Sequence, residues 1–201
     1  MLPGMFIVFD GIDGSGKSTQ IKLLSEELTK LEIPHIVSKE PTNGKYGSII
    51  RQSANGKRLC VEDELDYFIK DRTEHVETLI KPALLSGKYV LLDRYFYSTI
   101  CYQGARGYDV NELEKQMDSL FIIPDIAFIF SCDVRISRDR ILCDKTRNKL
   151  DNFEQPDYQE IVKSLFSLCA RRKEVVLIDA EQSIENVFED VMAALTTKAM
   201  S

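Results

Sequence analysis

The sequence contains no tryptophan, only two histidines and no excess of positive charge: 26 Lys and Arg against 32 Asp and Glu leave a formal net charge of -6. Binding nucleic acid without regard to sequence needs a basic surface, so that class of function is disfavoured. Binding one nucleotide is still open, because a local cluster of Lys and Arg suffices. There is no CxxC pair. The five cysteines, Cys60, Cys101, Cys132, Cys143 and Cys169, are odd in number and widely spaced, several inside apolar runs such as Ile129-Phe130-Ser131-Cys132. They read as free thiols in a reducing compartment, not as a disulfide framework. With only His35 and His75 to add, a zinc site is not expected. No apolar stretch is long enough to span a bilayer, and no basic leader precedes one, so the expectation is a cytoplasmic protein without a membrane partner.

What is present is 201 residues, 44% hydrophobic and 29% charged, enough for one α/β domain with its own core. Short apolar runs, Met5–Phe9, His35–Ser38, Tyr89–Leu92, Asp125–Phe130 and Val175–Ile178, are mostly unbroken. Unbroken runs of this length fit strands buried on both faces of a parallel sheet. Helical patterns separate them. Lys17–Leu31 carries Ile21, Leu24 and Leu28 on one stripe, Asp63–Leu85 carries Leu65, Phe68, Ile69, Arg72, Val76, Leu79 and Ile80, and a last helix carries Ile184, Val187, Phe188, Val191 and Leu195. Asp109 and Glu112 are spaced as a capping box. The β-α alternation predicts an α/β fold: a doubly wound five-stranded parallel sheet with helices on both faces. Without repeats or linkers, residues 1–201 are expected to form one domain. The polar stretch Asp139–Glu154, poor in periodicity, is expected to be a mobile segment on it.

The first apolar run leads into Gly11-Ile12-Asp13-Gly14-Ser15-Gly16-Lys17-Ser18-Thr19. This fits G-x-x-x-x-G-K-[ST] between a strand and a helix, the context that makes a phosphate-binding P-loop. Glycines let successive N–H groups point at phosphate oxygens, and the helix N-terminus adds partial positive charge. In that reading Lys17 reaches the β- and γ-phosphates of ATP, and Ser18 offers its hydroxyl to Mg²⁺. A P-loop alone does not separate kinase, GTPase and ATPase. No guanine-reading N-K-x-D and no clear hydrolytic Gln or Glu beside the loop is found.

Other motifs discriminate. Lys39-Glu40-Pro41-Thr42 and Ile49-Ile50-Arg51 come after the second run. Phe68-Ile69-Lys70-Asp71-Arg72 lies in the long helix. Asp93-Arg94-Tyr95-Phe96-Tyr97-Ser98-Thr99-Ile100-Cys101-Tyr102-Gln103-Gly104 comes after the third run. Together with the acidic Asp13 inside the P-loop, their order and spacing from Phe6 to about Ala180 resemble the thymidylate kinase family of P-loop nucleoside-monophosphate kinases. The resemblance implies ATP-dependent phosphorylation of dTMP to dTDP. It sets Asp13 near the sugar 3′-hydroxyl and Ser98, Thr99, Tyr102 and Gln103 around base and sugar, with Tyr102 as a wall against a 2′-hydroxyl. It assigns Arg94 and Arg51 to the acceptor phosphate, and it implies a homodimer.

The residues themselves agree. Phe68 and Arg72 share a helix face at i and i+4, so the ring can stack on a pyrimidine while the guanidinium donates to its O4; the bland alternative is a core Phe and a solvated Arg. Two guanidiniums suit a dianionic phosphate. Asp93, at a strand end, can hold Mg²⁺ through water or orient the acceptor, or simply cap a helix. Ser98 and Thr99 could equally be capping hydroxyls. Glu40 shapes the loop after the second strand or touches ligand.

Five cations lie between Arg138 and Glu154. They read either as a solvated charged loop or as a lid that brings a cation to the transferring phosphoryl group. Family members with Gly at the position of Gly14 carry these cations in the lid, which singles out Arg147, with Lys145 and Lys149 behind it; Arg140 is set against adenine. Leu150-Asp151-Asn152 departs from the Leu-Asp-Arg that often closes bacterial lids. Rival readings are a kinase for another pyrimidine deoxynucleotide such as dUMP, and a P-loop regulatory or ATP-binding module.

Overall fold

All five apolar runs become strands of one sheet. The computed structural model describes residues 4–143 and 155–199. The strands are β1 (Phe6–Gly11), β2 (His35–Lys39), β3 (Tyr89–Asp93), β4 (Ile126–Ser131) and β5 (Val175–Asp179), in the order β2-β3-β1-β4-β5 with every neighbouring pair parallel. Phe9 pairs with Asp93 on one side and Phe128 on the other, and Lys39 pairs with Asp93. The carboxyl ends therefore finish at one level, and the strand order reverses around β1, where α/β sheets open a crevice.

Alternation along β1 feeds two cores. Phe6 and Val8 face one buried cluster and Ile7 and Phe9 the other. On the second face lie α1 (Lys17–Lys30), through Ile21, Leu24 and Leu28, and α9 (Ile184–Ala199), through Val187 and Val191. The first face is covered by α3 (Val61–His75), α5 (Phe96–Gly104), α6 (Val110–Leu120) and α8 (Pro156–Leu168). The expectation of strands buried on both faces holds for the three inner strands only. Val37 of β2 is 51% exposed and Leu177 of β5 44%, because the helical layers close over the middle of the sheet and leave part of each edge open.

The long helical pattern begins at Val61 and is interrupted. After α3 a π turn spans Val76–Ile80, and α4 (Lys81–Leu85) continues from it. A π turn inserts a residue and rotates the helix beyond it. That rotation turns Leu79, expected on the apolar stripe, out to solvent while Ile80 is buried. Asp109 caps α6 by accepting from the backbone N–H groups of Asn111 and Glu112. Glu112 pairs with Lys115, so only half of the expected capping box is made. Asp139–Cys143, expected to open the irregular segment, complete α7 (Val134–Cys143), with Ile141 buried. Residues 144–154, including Arg147, Lys145 and Lys149, lie outside the described residues. No helix among the described residues is long and apolar enough to cross a membrane.

Candidate active site

The P-loop joins β1 to α1, with Gly16 at the N-cap of the helix. Gly14 has φ +75°, and a Cβ there would lie 2.2 Å from the carbonyl oxygen of Ser137. Only glycine meets both constraints, which seats the loop directly against α7. Lys17 is buried, and its ammonium donates to the carbonyls of Gly11 (3.1 Å) and Ile12 (2.8 Å). Burial, with Arg94 nearby, pushes the Lys17 ammonium down to about 8. Gly11 and Ile12 thus serve through backbone carbonyls, and the Ile12 side chain belongs to the core. The Ser18 hydroxyl donates to Asp93 at 2.8 Å. A hydroxyl beside a carboxylate is a hard-oxygen pair, which fits Mg²⁺ holding several waters and phosphate oxygens. Among the described residues no group of three or more His, Cys, Asp or Glu side chains forms a metal cage.

At the end of β3 the backbone of Arg94 is left-handed, φ +68°, uncommon for a residue with a side chain and a mark of functional sites. This turn sends the guanidinium back over β1. It donates to the Gly11 carbonyl (3.1 Å), to Ser98 (2.8 Å) and to Asp13 (2.7 Å), and lies over the Tyr102 ring. The nearby carboxylates hold its charge firmly in spite of burial.

Beneath it sits Asp10, a residue to which sequence reasoning gave no role. Fully buried, it accepts from the backbone N–H groups of Gly11, Tyr95 and Ser98 and from the Ser98 hydroxyl. Burial raises its carboxyl above the usual range, while Arg94 and these donors oppose the rise. Asp10 locks the start of α5 to the P-loop strand. Its only sequence signal was its place at the carboxyl end of a buried strand.

Two cavities meet at this junction. The narrower, about 180 Å³, is lined by Asp13, Glu40, Arg51, Phe68, Arg72, Arg94, Ser98, Thr99 and Tyr102 together with Pro41, Ile50, Ala54 and Tyr95. Every residue expected around the acceptor is therefore on its wall except Gln103. The Gln103 side chain is fully buried and donates to Glu64 instead, because its position on α5 (Phe96–Gly104) faces α3. The wider cavity, about 830 Å³, is lined by Asp13 to Thr19, Asp93, Arg94 and Arg140 together with Ala180, Gln182, Ser183, Ile184 and Val187. Asp13 and Arg94 belong to both. On the wider wall Arg140 donates to the Ala180 carbonyl at 2.9 Å, and Gln182, Ser183 and Ile184 are additions that sequence reasoning missed.

Arg72 is buried to 1% exposure, and its charge is compensated there. Its Nε donates to Glu40 at 2.7 Å and its Nη2 to Thr99 at 3.0 Å, with the Tyr95 and Phe121 rings on its faces. Neither solvation nor a simple core role describes it. Asp71, also buried and unassigned from sequence, accepts from the Thr42 N–H and hydroxyl and from the Gly47 N–H. It ties the loop after β2 to α3. Arg51, on α2 (Lys45–Asn55), donates to the carbonyls of Pro41 and Thr42 on the same loop.

Residues 9–191 match the family model for thymidylate kinase. The chain belongs to the thymidylate kinase family. Among thymidylate kinases similar to it, one from Desulfotalea psychrophila is 42% identical over 191 residues, covering 94% of this chain and 93% of the relative. Another from Akkermansia muciniphila is 39% identical, covering 97% and 93%. A probable thymidylate kinase from Thermococcus kodakarensis is 36% identical, covering 96% and 98%.

Proposed function

We propose that this chain transfers the γ-phosphoryl group of ATP to dTMP, giving ADP and dTDP. The observation that carries the proposal is the meeting of two cavities at Asp13 and Arg94, one built on a P-loop and the other on Phe68 and Arg72. The triphosphate lies along Gly11–Ser18, and dTMP enters the narrower cavity with its base between Phe68 and Arg72. Arg94 and Arg51 hold the acceptor phosphate, Asp13 the sugar 3′-hydroxyl, and Tyr102 closes the space a 2′-hydroxyl would need. An acceptor phosphate oxygen attacks the γ-phosphorus in line, and the bond to the ADP oxygen breaks. No covalent enzyme intermediate and no strong base are required, because positioning and charge neutralisation do the work. Lys17 leaves its two backbone carbonyls for the phosphates. Ser18 and Asp93 would hold a Mg²⁺ ion, which would supply further neutralisation of charge on the phosphates.

Arg147 is the proposed lid cation, within a single kinase domain whose segment around 139–154 closes over the nucleotides to exclude water. A homodimer is the proposed assembly, to be read by sedimentation equilibrium.

The test is ADP formation from ATP and Mg²⁺ with dTMP, dUMP, dCMP, dGMP and UMP offered separately. Strong preference for dTMP is expected. Equal rates with dUMP would widen the substrate to pyrimidine deoxynucleotides, since one methyl group is worth only ~1–3 kcal/mol. ADP formation that no acceptor increases would overturn the kinase and favour an ATP-binding module.

A further inference from the structure

Behind the narrower cavity Arg72 is held by a chain of side chains that reaches to the sheet edge. Glu40 accepts from Arg72 Nε through Oε2 (2.7 Å), and its other oxygen, Oε1, faces Nδ1 of His75 at 3.1 Å. Nε2 of His75 lies 2.8 Å from the Ser38 hydroxyl oxygen. The Arg72, Glu40 and His75 side chains are 2%, 3% and 5% exposed. Ser38 belongs to β2, Glu40 comes directly after that strand, and Arg72 and His75 stand three apart on α3, so one helix face meets one strand end. His75 is the last residue before the π turn.

A carboxylate can only accept, so Nδ1 must carry the proton directed at Glu40. On a neutral ring Nε2 then accepts from the Ser38 hydroxyl, and every partner is satisfied. Each Glu40 oxygen is thereby committed, one to His75 and one to Arg72 Nε. A carboxylate released from His75 could turn and take two guanidinium nitrogens, since that paired geometry is the favoured one for Arg. Such a turn would draw the Arg72 guanidinium away from Thr99 and from its place on the cavity wall.

We infer that His75 is a positioning residue for base recognition: through Glu40 it fixes the guanidinium of Arg72 on the wall of the narrower cavity, where Nη2 donates to Thr99 and Nη1 lies 3.7 Å from the Met117 sulfur. The inference rests on the assignment of that cavity to the pyrimidine of dTMP.

Two amides separate the halves of the imidazole. In His75→Asn the side-chain N–H replaces Nδ1 and can still donate to Glu40, whereas in His75→Gln it replaces Nε2 and reaches only towards Ser38. Steady-state kinetics on the full chain should show His75→Gln raising KM for dTMP about tenfold, the usual cost of a hydrogen bond to a charged group, with kcat and KM for ATP little changed. His75→Asn should recover most of that loss. Equal rises in the two variants, or none in either, would overturn the inference, because a merely structural histidine would not distinguish them. Ser38→Ala, at a half-buried position on an edge strand, covers the case in which neither histidine variant folds. A rise of about threefold in KM for dTMP supports the relay, and an unchanged KM overturns it. Arg72→Ala is the control. If it leaves KM for dTMP unchanged, the cavity itself is wrongly assigned. If it raises KM while His75→Gln and Ser38→Ala do not, the base site stands and the role of His75 falls.

Discussion

At the scale of single residues, the chemistry is set by charges taken out of water. The Lys17 ammonium is pushed down to about 8 by burial, below its ordinary value of 10.5, so the folded protein without nucleotide holds this proton less tightly than the unfolded chain does. Burial of the charged form costs stability below about pH 8, and that cost fades as pH rises towards 10.5. Bound phosphates favour the ammonium and restore the proton. ATP binding should therefore take up protons above about pH 8, read as a dependence of the calorimetric binding enthalpy on buffer ionisation. The value of kcat/KM for ATP should fall along an alkaline limb with an apparent midpoint near 8, while kcat holds to higher pH. Asp10 has the opposite task, a buried acceptor for four donors. Asp10→Asn keeps the shape but sets N–H groups against N–H groups. A loss of about 3 kcal/mol is expected in urea unfolding, with a fall in kcat/KM for dTMP as α5 loosens. Asp10 stood beside a legible motif with only its strand-end position to mark it, because what a buried carboxylate accepts from is a property of its neighbours.

At the scale of elements, the P-loop and α7 work as one unit. A Cβ on Gly14 would meet the Ser137 carbonyl oxygen at 2.2 Å and Ile141 Cγ1 at 2.9 Å, and the backbone is left-handed. Gly14→Ala should destabilise by about 1–2 kcal/mol from backbone strain alone. By shifting α7 it should also raise KM for ATP more than KM for dTMP, which separates it from a uniform loss of folded protein. Element types were largely legible. Buried β-branched and aromatic runs announced the strands, and 3.6-residue stripes announced the helices. The π turn at Val76–Ile80 was not, since one inserted residue leaves the apolar pattern almost intact and is revealed only by Leu79 turning outward. Gln103, expected around base and sugar, lies off the cavity wall for a related reason: a helix presents successive residues to different neighbours, and Glu64 of α3 took it.

At the scale of the whole molecule, the two cavities meet only because β1 and β3 are neighbours. Arg94, at the end of β3, reaches the P-loop through the Gly11 carbonyl and Asp13. Arg94→Ala should lower kcat/KM for dTMP about 10³-fold, the scale for removing a preorganised charge from a phosphoryl-transfer site. It should also weaken ATP binding, because the residue lines both cavities; an effect confined to dTMP would mean that it serves the acceptor alone. The sequence by itself determined the P-loop and the parallel α/β class, since these live in contiguous residues whose local geometry and periodicity carry the information, and the order and spacing of its separate motifs carried the resemblance to the family. Tertiary structure alone decided the partners of the buried charges: Glu40 with Arg72 and with His75, Asp10 with α5, Arg94 with Asp13. Those pairs join residues dozens of positions apart, and hydrogen bonding at about 3 Å is settled only when the sheet brings its strand ends to one level.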